Sequence, residues 1–225
     1  ILSSLDDFSL DNVGSEAELI PLMTSEDEEA LEKDELPKVV PLLPIKNTVL
    51  FPGVVIPITV GRDKSIHLIK DANKSKNPIG VVAQKDKKVE DPSIKDLYEM
   101  GTVAQILRVL KMPDGSTTII IQGKKRFKID DLISDLPYLK VKISSIFENN
   151  KEKKESEFKL TVESIKETAI KIINENPNIP SEASFAIKNI QSDSFLINFV
   201  SSNMNLSVND KQKILSSKNI SERAL

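Results

Sequence analysis

The chain of 225 residues offers little to a catalytic mechanism: it has one histidine, His67, and no cysteine. A Ser-His-Asp arrangement requires the imidazole beside a serine nucleophile and an orienting carboxylate. His67 instead lies within a lysine-rich helical pattern, which reads as a solvated surface histidine. A histidine metal site takes more than one such ligand, and a thiolate site is not available. A phosphate-cradling loop needs G-x-x-x-x-G-K-[ST]. The one Gly-Lys pair, Gly123-Lys124, has Thr118 where the first glycine belongs and Lys125 where the hydroxyl belongs, so no nucleotide site is encoded. No G-x-G-x-x-G occurs. Asp130 and Asp131 are neighbours on a strand pattern and point to opposite faces, which makes them weak acid-base partners.

Two basic clusters remain, Lys85/Lys87/Lys88 and Lys124-Lys125-Arg126-Phe127-Lys128. The second includes an aromatic, as single-strand nucleic-acid binders often do. Against that stand the absence of tryptophan, 4% aromatic residues and a sequence pI of about 5.5, which favour an ordinary solvated rim. The other surface with chemical content is apolar. Phe51, Pro52, Gly53 and Val54 sit at a turn, and Met112-Pro113 at a hairpin tip. Apolar residues at loop tips cannot all reach a core, and an exposed apolar patch marks an interaction site. Core packing of one or two of them is the competing expectation.

The elements that must position these residues are mostly strands. VVPLLPI (39–45) and VVIPITV (54–60) flank the Phe51-Pro52-Gly53 turn. Pro41, Pro44 and Pro57 lack a backbone N–H, which confines them to edge strands, strand ends or bulges. The segment therefore reads as the rim of a small closed or half-closed β structure. Ile66, Ile69 and Ala72 recur at helical spacing, which predicts a short amphipathic helix from Arg62 to about Lys74. IGVVAQ (79–84) reads as a strand, and KDKKVEDPSIKD (85–96) as a loop. GTVAQILRVLKM (101–112), Pro113-Asp114-Gly115 and STTIIIQG (116–123) form a hairpin. A turn at Gly123 and KKR is expected to lead into RFKIDDLI (126–133). YLKVKISSIF (138–147) alternates, with Leu139, Val141, Ile143 and Phe147 on one face. The count is six or seven strands.

Beyond the charged stretch 148–157 the strand pattern stops. Phe158, Val162, Ile165, Ala169 and Ile172 make one helical stripe. Ser181, Asp193 and Ser207 are placed to cap three further helices. Ser221–Leu225 reads as the first turn of a fifth.

The net charge of −3 hides an asymmetry: residues 1–36 carry −11, residues 37–150 carry +7 and residues 151–225 carry +1. An acidic arm beside a basic domain can fold back on it. Low aromatic content and high charge make the arm read as disordered. No apolar run approaches the roughly 20 residues of a membrane span. The absence of a signal-peptide pattern and of cysteine fits a reducing cytoplasm. A start at Ile1 and an end just inside a helix suggest a piece of a longer protein.

The stretch LPIKNTVLFPGVVIPITVGRDKSI resembles the opening of the N-terminal domain of Lon proteases (endopeptidase La), which runs LP-(L/I)-R-(D/N)-x-V-(V/L)-(F/Y)-P, then IP-(L/I)-x-VGR-x-KS. VVAQKD (81–86), DLYEMGTVAQILRVLKMPDGS (96–116), GKKRFKI (123–129) and SSKNISERAL (216–225) follow in the family's order. The resemblance covers about 39–225. It departs in the acidic arm and at Asp63, where Glu is frequent. It implies an α+β fold: a β-rich, PUA-like LON domain, a half-closed β-barrel with short helices, followed by an α-helical bundle. The expected division is an arm (1–38), a LON domain (39–148) and a helical subdomain (149–225).

It further implies that this region is the non-catalytic, substrate-recognising part of an ATP-dependent serine protease of protein quality control. The AAA+ module, with its ATP and magnesium, and the Ser-Lys module would lie outside this sequence. The implied partners are unfolded or damaged protein clients and further copies in a homohexamer. Phe51, Pro52, Val54, Met112 and Pro113 are the expected client-facing residues. Arg62, Asp63 and Lys64 are expected to fix the domain's geometry or a neighbour contact. Two other readings stay open: a PUA-like module binding DNA or another nucleic acid, and a purely structural hexamer collar.

Overall fold

A computed structural model of the chain describes residues 35–146, 155–176 and 182–225. The expectations for the acidic arm, Phe147 and the Ser181 cap lie outside the described residues. Six strands are present: β1 (Val39–Ile45), β2 (Val55–Val60), β3 (Ile79–Ala83), β4 (Met100–Lys111), β5 (Thr117–Ser134) and β6 (Lys140–Ser145). Helix α1 (Asp63–Ser75) follows β2, and a single 3-10 turn (Ile94–Asp96) precedes β4. The sheet order is β2-β5-β4-β3-β1-β6, and β6 pairs back onto β5. Five strands therefore close into a ring, with β2 attached outside. Only β1 and β3 are parallel. Register shifts along β4–β5 and β5–β6 supply the bends that closure needs.

The prolines illustrate how the register was solved. β1 is not an edge, so of the edge, strand-end and bulge alternatives the first does not apply to Pro41 and Pro44. Its first half pairs with β6 (Val39–Pro41) and its second with β3 (Leu42–Ile45). Leu42 N–H donates to Leu139 C=O (2.8 Å) and Ile143 N–H to Lys38 C=O (3.0 Å). Antiparallel alternation then turns the Pro41 nitrogen away from β6. Gln84 N–H donates to Ile45 C=O (3.0 Å), which turns the Pro44 nitrogen away from β3. Gly123 N–H donates to Val54 C=O (2.9 Å), so Pro57, opposite Ile120, has its nitrogen on the outer side of β2. Each missing donor points away from the strand its proline is paired with. Only Pro57 lies on a true edge.

Gly123 does not make a turn. β5 runs unbroken through it, because the glycine accommodates a close approach instead. A Cβ there would run into the Phe51 carbonyl oxygen. Gly53, at φ 79°, supplies the left-handed turn that brings Phe51 to this point, and its N–H donates to Gly123 C=O at 2.9 Å.

Two cores fill the strand region. Val40, Leu42, Val82, Val103, Phe127 and Val141 belong to one. Leu43, Ile45, Ile79, Val81, Ile119 and Ile121 pack with Leu68 and Ile69 of α1 in the other. All five β3 residues are buried, which explains its continuous apolar run.

The second half of the chain is helical: α2 (Glu155–Glu175), α3 (Glu182–Asn189), α4 (Asp193–Asn203), α5 (Val208–Leu215) and α6 (Ile220–Ala224). The α2 stripe runs through Phe158, Val162, Ile165 and Ala169 but ends on Ile173. Ile172 is 46% exposed, because after Ala169 a step of four, not three, continues the packed face. Ser192, not Asp193, caps α4, accepting from Phe195 N–H at 3.0 Å. Ser207 caps α5, accepting from Asp210 N–H (3.1 Å). Asn219 caps α6.

Candidate functional site

The Phe51-Pro52-Gly53 turn is not an exposed tip. Phe51 is fully buried and Val54 is buried, in a cluster with Phe195, Leu196, Leu215 and Ile220 of the helices. Pro52 is half-buried, and its carbonyl accepts from Asn198 Nδ2 at 3.2 Å. Arg223 in turn donates to Asn198 Oδ1 (2.9 Å). The expectation that Phe51 and Val54 stand exposed to a client is thereby corrected. The apolar turn is thus the joint at which the strands and the helices pack together. Sequence reasoning could see that the turn was apolar, but not that helices more than a hundred residues later would cover it.

The basic cluster changes meaning in the same way. Phe127 is fully buried inside the ring and Arg126 is buried at the joint. Arg126 Nη1 donates to the carbonyls of Leu215 (2.7 Å) and Ser217 (2.6 Å), at the C-terminal end of α5. The aromatic and the arginine are therefore withdrawn from the surface that a nucleic acid would need. Gln212 Nε2 adds a bond to Met100 C=O (2.9 Å), and Tyr98 OH one to Asn209 Oδ1 (3.4 Å).

Arg62 precedes α1 and points back across the sheet. Its Nη2 donates to Gln84 Oε1 (2.6 Å) and Nη1 to Pro44 C=O (3.3 Å). Gln84 Nε2 then donates to the carbonyls of Asp86 (2.8 Å) and Val89 (2.5 Å), which pins the 85–92 loop. Burial pushes the Arg62 pKa below its ordinary value, against the opposing pull of Glu90 and Asp91. Lys64 bridges to Asp91 at 2.7 Å, and Asp63 is exposed. His67 is exposed on α1.

Met112 and Pro113 do stand out in solvent, at the β4–β5 tip. Met112 is 38% exposed, and Leu107, which the sequence reading passed over, is 45% exposed. The available signal was the doubling in ILRVL, where paired apolar residues break the strand period of two. A register shift between Ile106 and Arg108 accompanies it. Among the described residues, no cluster of three or more His, Cys, Asp or Glu could hold a metal ion. No helix among them is long and apolar enough to cross a membrane.

The chain thus combines a small β ring, a docked helical part and an exposed apolar hairpin tip. Residues 39–225 match the ATP-dependent protease La (LON) substrate-binding domain, and the chain belongs to that family. It is 60% identical over 222 residues to the Lon protease of Flavobacterium johnsoniae, a match spanning 99% of this chain and 27% of that protein. With the Lon protease of Cytophaga hutchinsonii it shares 50% identity over 207 residues, 92% of this chain and 26% of that one. The chain thus spans about a quarter of the length of these relatives. The Flavobacterium match takes in the acidic arm, which the family match, starting at residue 39, does not. The N-terminal domain of the Mycobacterium avium complex Lon protease has the same fold, with a TM-score of 0.67 at 22% identity, covering 83% of this chain and 94% of that one. The Lon N-terminal domain protein from Xanthomonas campestris follows at 0.58 and 17% identity, covering 82% and 94%.

Proposed function

We propose that this chain is the client-recognising and assembly region of an ATP-dependent Lon-type serine protease. The observation that carries the proposal is the exposed hairpin tip, where Met112 and Pro113 stand clear of all three cores, with Leu107 also exposed five residues back along β4. Membership of a substrate-binding family supports it. Unfolded or damaged proteins expose apolar segments, and a shallow apolar patch takes them with little demand on sequence. Six such patches in a homohexamer would gain avidity while each stays weak enough to release its client. On this reading ATP hydrolysis with magnesium and Ser-Lys peptide hydrolysis belong to AAA+ and protease modules of a cytoplasmic whole protein. The chain's own part is capture.

The test is binding of the 225-residue chain to a permanently unfolded protein and to its folded counterpart, at low and high salt. Preference for the unfolded form that persists in high salt is the expected result. Binding that vanishes with salt would point to phosphate-type contacts and a nucleic-acid partner. No binding to either form would leave a structural collar.

A further inference from the structure

A groove of about 250 Å³ lies between the start of β1 and the end of α1. Val39, Pro41 and Ala72 give it apolar walls, and Ser75, Asn77 and Lys140 a polar rim. Tyr138 also lines it, donating from its hydroxyl to Asp71 Oδ2 at 3.0 Å. The Lys140 ammonium lies 5.3 Å from the Tyr138 ring centroid. Asp71 is thereby engaged, whereas among the described residues no carboxylate is in ion-pair range of Lys140. Val39 opens onto the groove with 46% of its surface exposed. The volume is below the roughly 300–1,000 Å³ of sites for drug-sized ligands, and suits one or two side chains of a peptide.

The sequence holds such a peptide close by. The chain enters β1 at the groove's own rim, and Glu35 is the first described residue. The acidic arm before it, net −11 against +7 for residues 37–150, contains one apolar run, Leu19-Ile20-Pro21-Leu22-Met23. Glu26-Asp27-Glu28-Glu29 follow it directly after Thr24-Ser25. The span from Leu22 to Glu35 reaches about 45 Å when extended, and Glu35 lies only four residues before Val39 on the groove's rim.

We propose that Leu19–Glu29 docks in this groove of its own chain. An apolar side chain of the 19–23 run packs against Val39, Pro41 and Ala72, and a carboxylate of the 26–29 run pairs with Lys140. Tethering places the segment at an effective concentration of about millimolar order, so one ion pair and one or two buried side chains suffice.

The chain has no cysteine, so Ser25→Cys gives a single thiol for a nitroxide label on the full 225 residues. At about 0.1 M salt, the amides of Val39, Asn77 and Lys140 should lose about half their intensity, while those of Leu107 and Met112 keep theirs. Lys140→Glu should abolish the broadening, and adding Glu26→Lys and Glu28→Lys should restore it. Val39→Asp, at an exposed position, is the second variant and should also abolish it. Broadening centred on Met112, spread evenly over the surface, or unchanged in both variants would overturn the proposal. So would broadening between separate labelled and isotope-enriched copies, since it would make the contact one between chains.

Discussion

Arg126 on β5 reaches the carbonyl oxygen of Leu215, 89 residues later in the chain, at 2.7 Å. With Ser217 as second acceptor, one guanidinium nitrogen closes the end of α5, where carbonyls lack helical partners and the dipole favours a cation. Replacing Arg126 by methionine removes charge-assisted bonds worth about 1.5–3 kcal/mol each before relaxation. The expected loss is about 2 kcal/mol or more in urea unfolding. Lysine should recover part of it, because both of these bonds come from one nitrogen, which an ammonium can replace without the guanidinium's shape.

Phe51 should behave as a core residue. Phe51→Ala is expected to cost about 3–5 kcal/mol, through lost burial and the cavity left at the joint. Binding to an unfolded client, corrected for the folded fraction, should stay the same. A client-facing Phe51 would give the reverse pattern: little loss of stability and a large loss of binding.

Gly123→Ala tests the same joint from the strand side. The added methyl would meet first the Phe51 backbone carbonyl, which cannot swing away as a side chain can. A loss of about 1–3 kcal/mol is expected from overpacking, read by thermal unfolding. An unchanged Tm would mean that the turn stands off from β5.

The exposed apolar residues along β4 and at its tip make the opposite prediction. Leu107→Ser with Met112→Ser should cost no more than about 1 kcal/mol per site, since both side chains are partly exposed and lie outside the packed cores. Affinity for an unfolded client should fall about five- to ten-fold, equivalent to roughly 1–1.4 kcal/mol. Titration calorimetry or fluorescence anisotropy with a labelled unfolded protein reads this directly.

Asp96 gives a pH signature. The Ser93 hydroxyl, then the Ser93 backbone N–H, hold its carboxyl below the ordinary value. A depressed carboxylate contributes stability that is present above its unfolded pKa of about 3.9 and lost as pH falls through the lower folded value. Local opening of the 85–96 loop, followed by amide exchange, should therefore increase on acidification below about pH 4. Asp96→Asn should reduce that dependence, leaving the part carried by Glu90, which Lys46 holds low in the same loop.

Much of this architecture was legible in the sequence where a local rule decided it. Alternation named β6, Pro-Asp-Gly named the hairpin, helical spacing named α1, and the Ser207 cap named the start of α5. The class of fold and the family followed from co-linear motifs. What stayed hidden depended on contacts between distant segments. Phe51 and Arg126 have the residue types of a patch and a basic cluster. Only the return of α4 and α5 across the ring turns them into a joint. Gly123 looked like a break because glycine usually marks one; here it marks a close approach of two backbones. Leu107 was missed because the irregular period of β4 hid which face it takes.

Pro57 carries one more consequence. β2 is the open side of the sheet, and midway along it a backbone donor is missing on the side that faces outward. An arriving extended chain would find its ladder interrupted there, and the interruption cannot be filled by any rotamer or ion. The sheet thus has a built-in obstacle at this edge, which discourages both a further strand and templated growth into a fibril. Under the proposed client-capturing role, contact would then fall to side chains, not to strand addition.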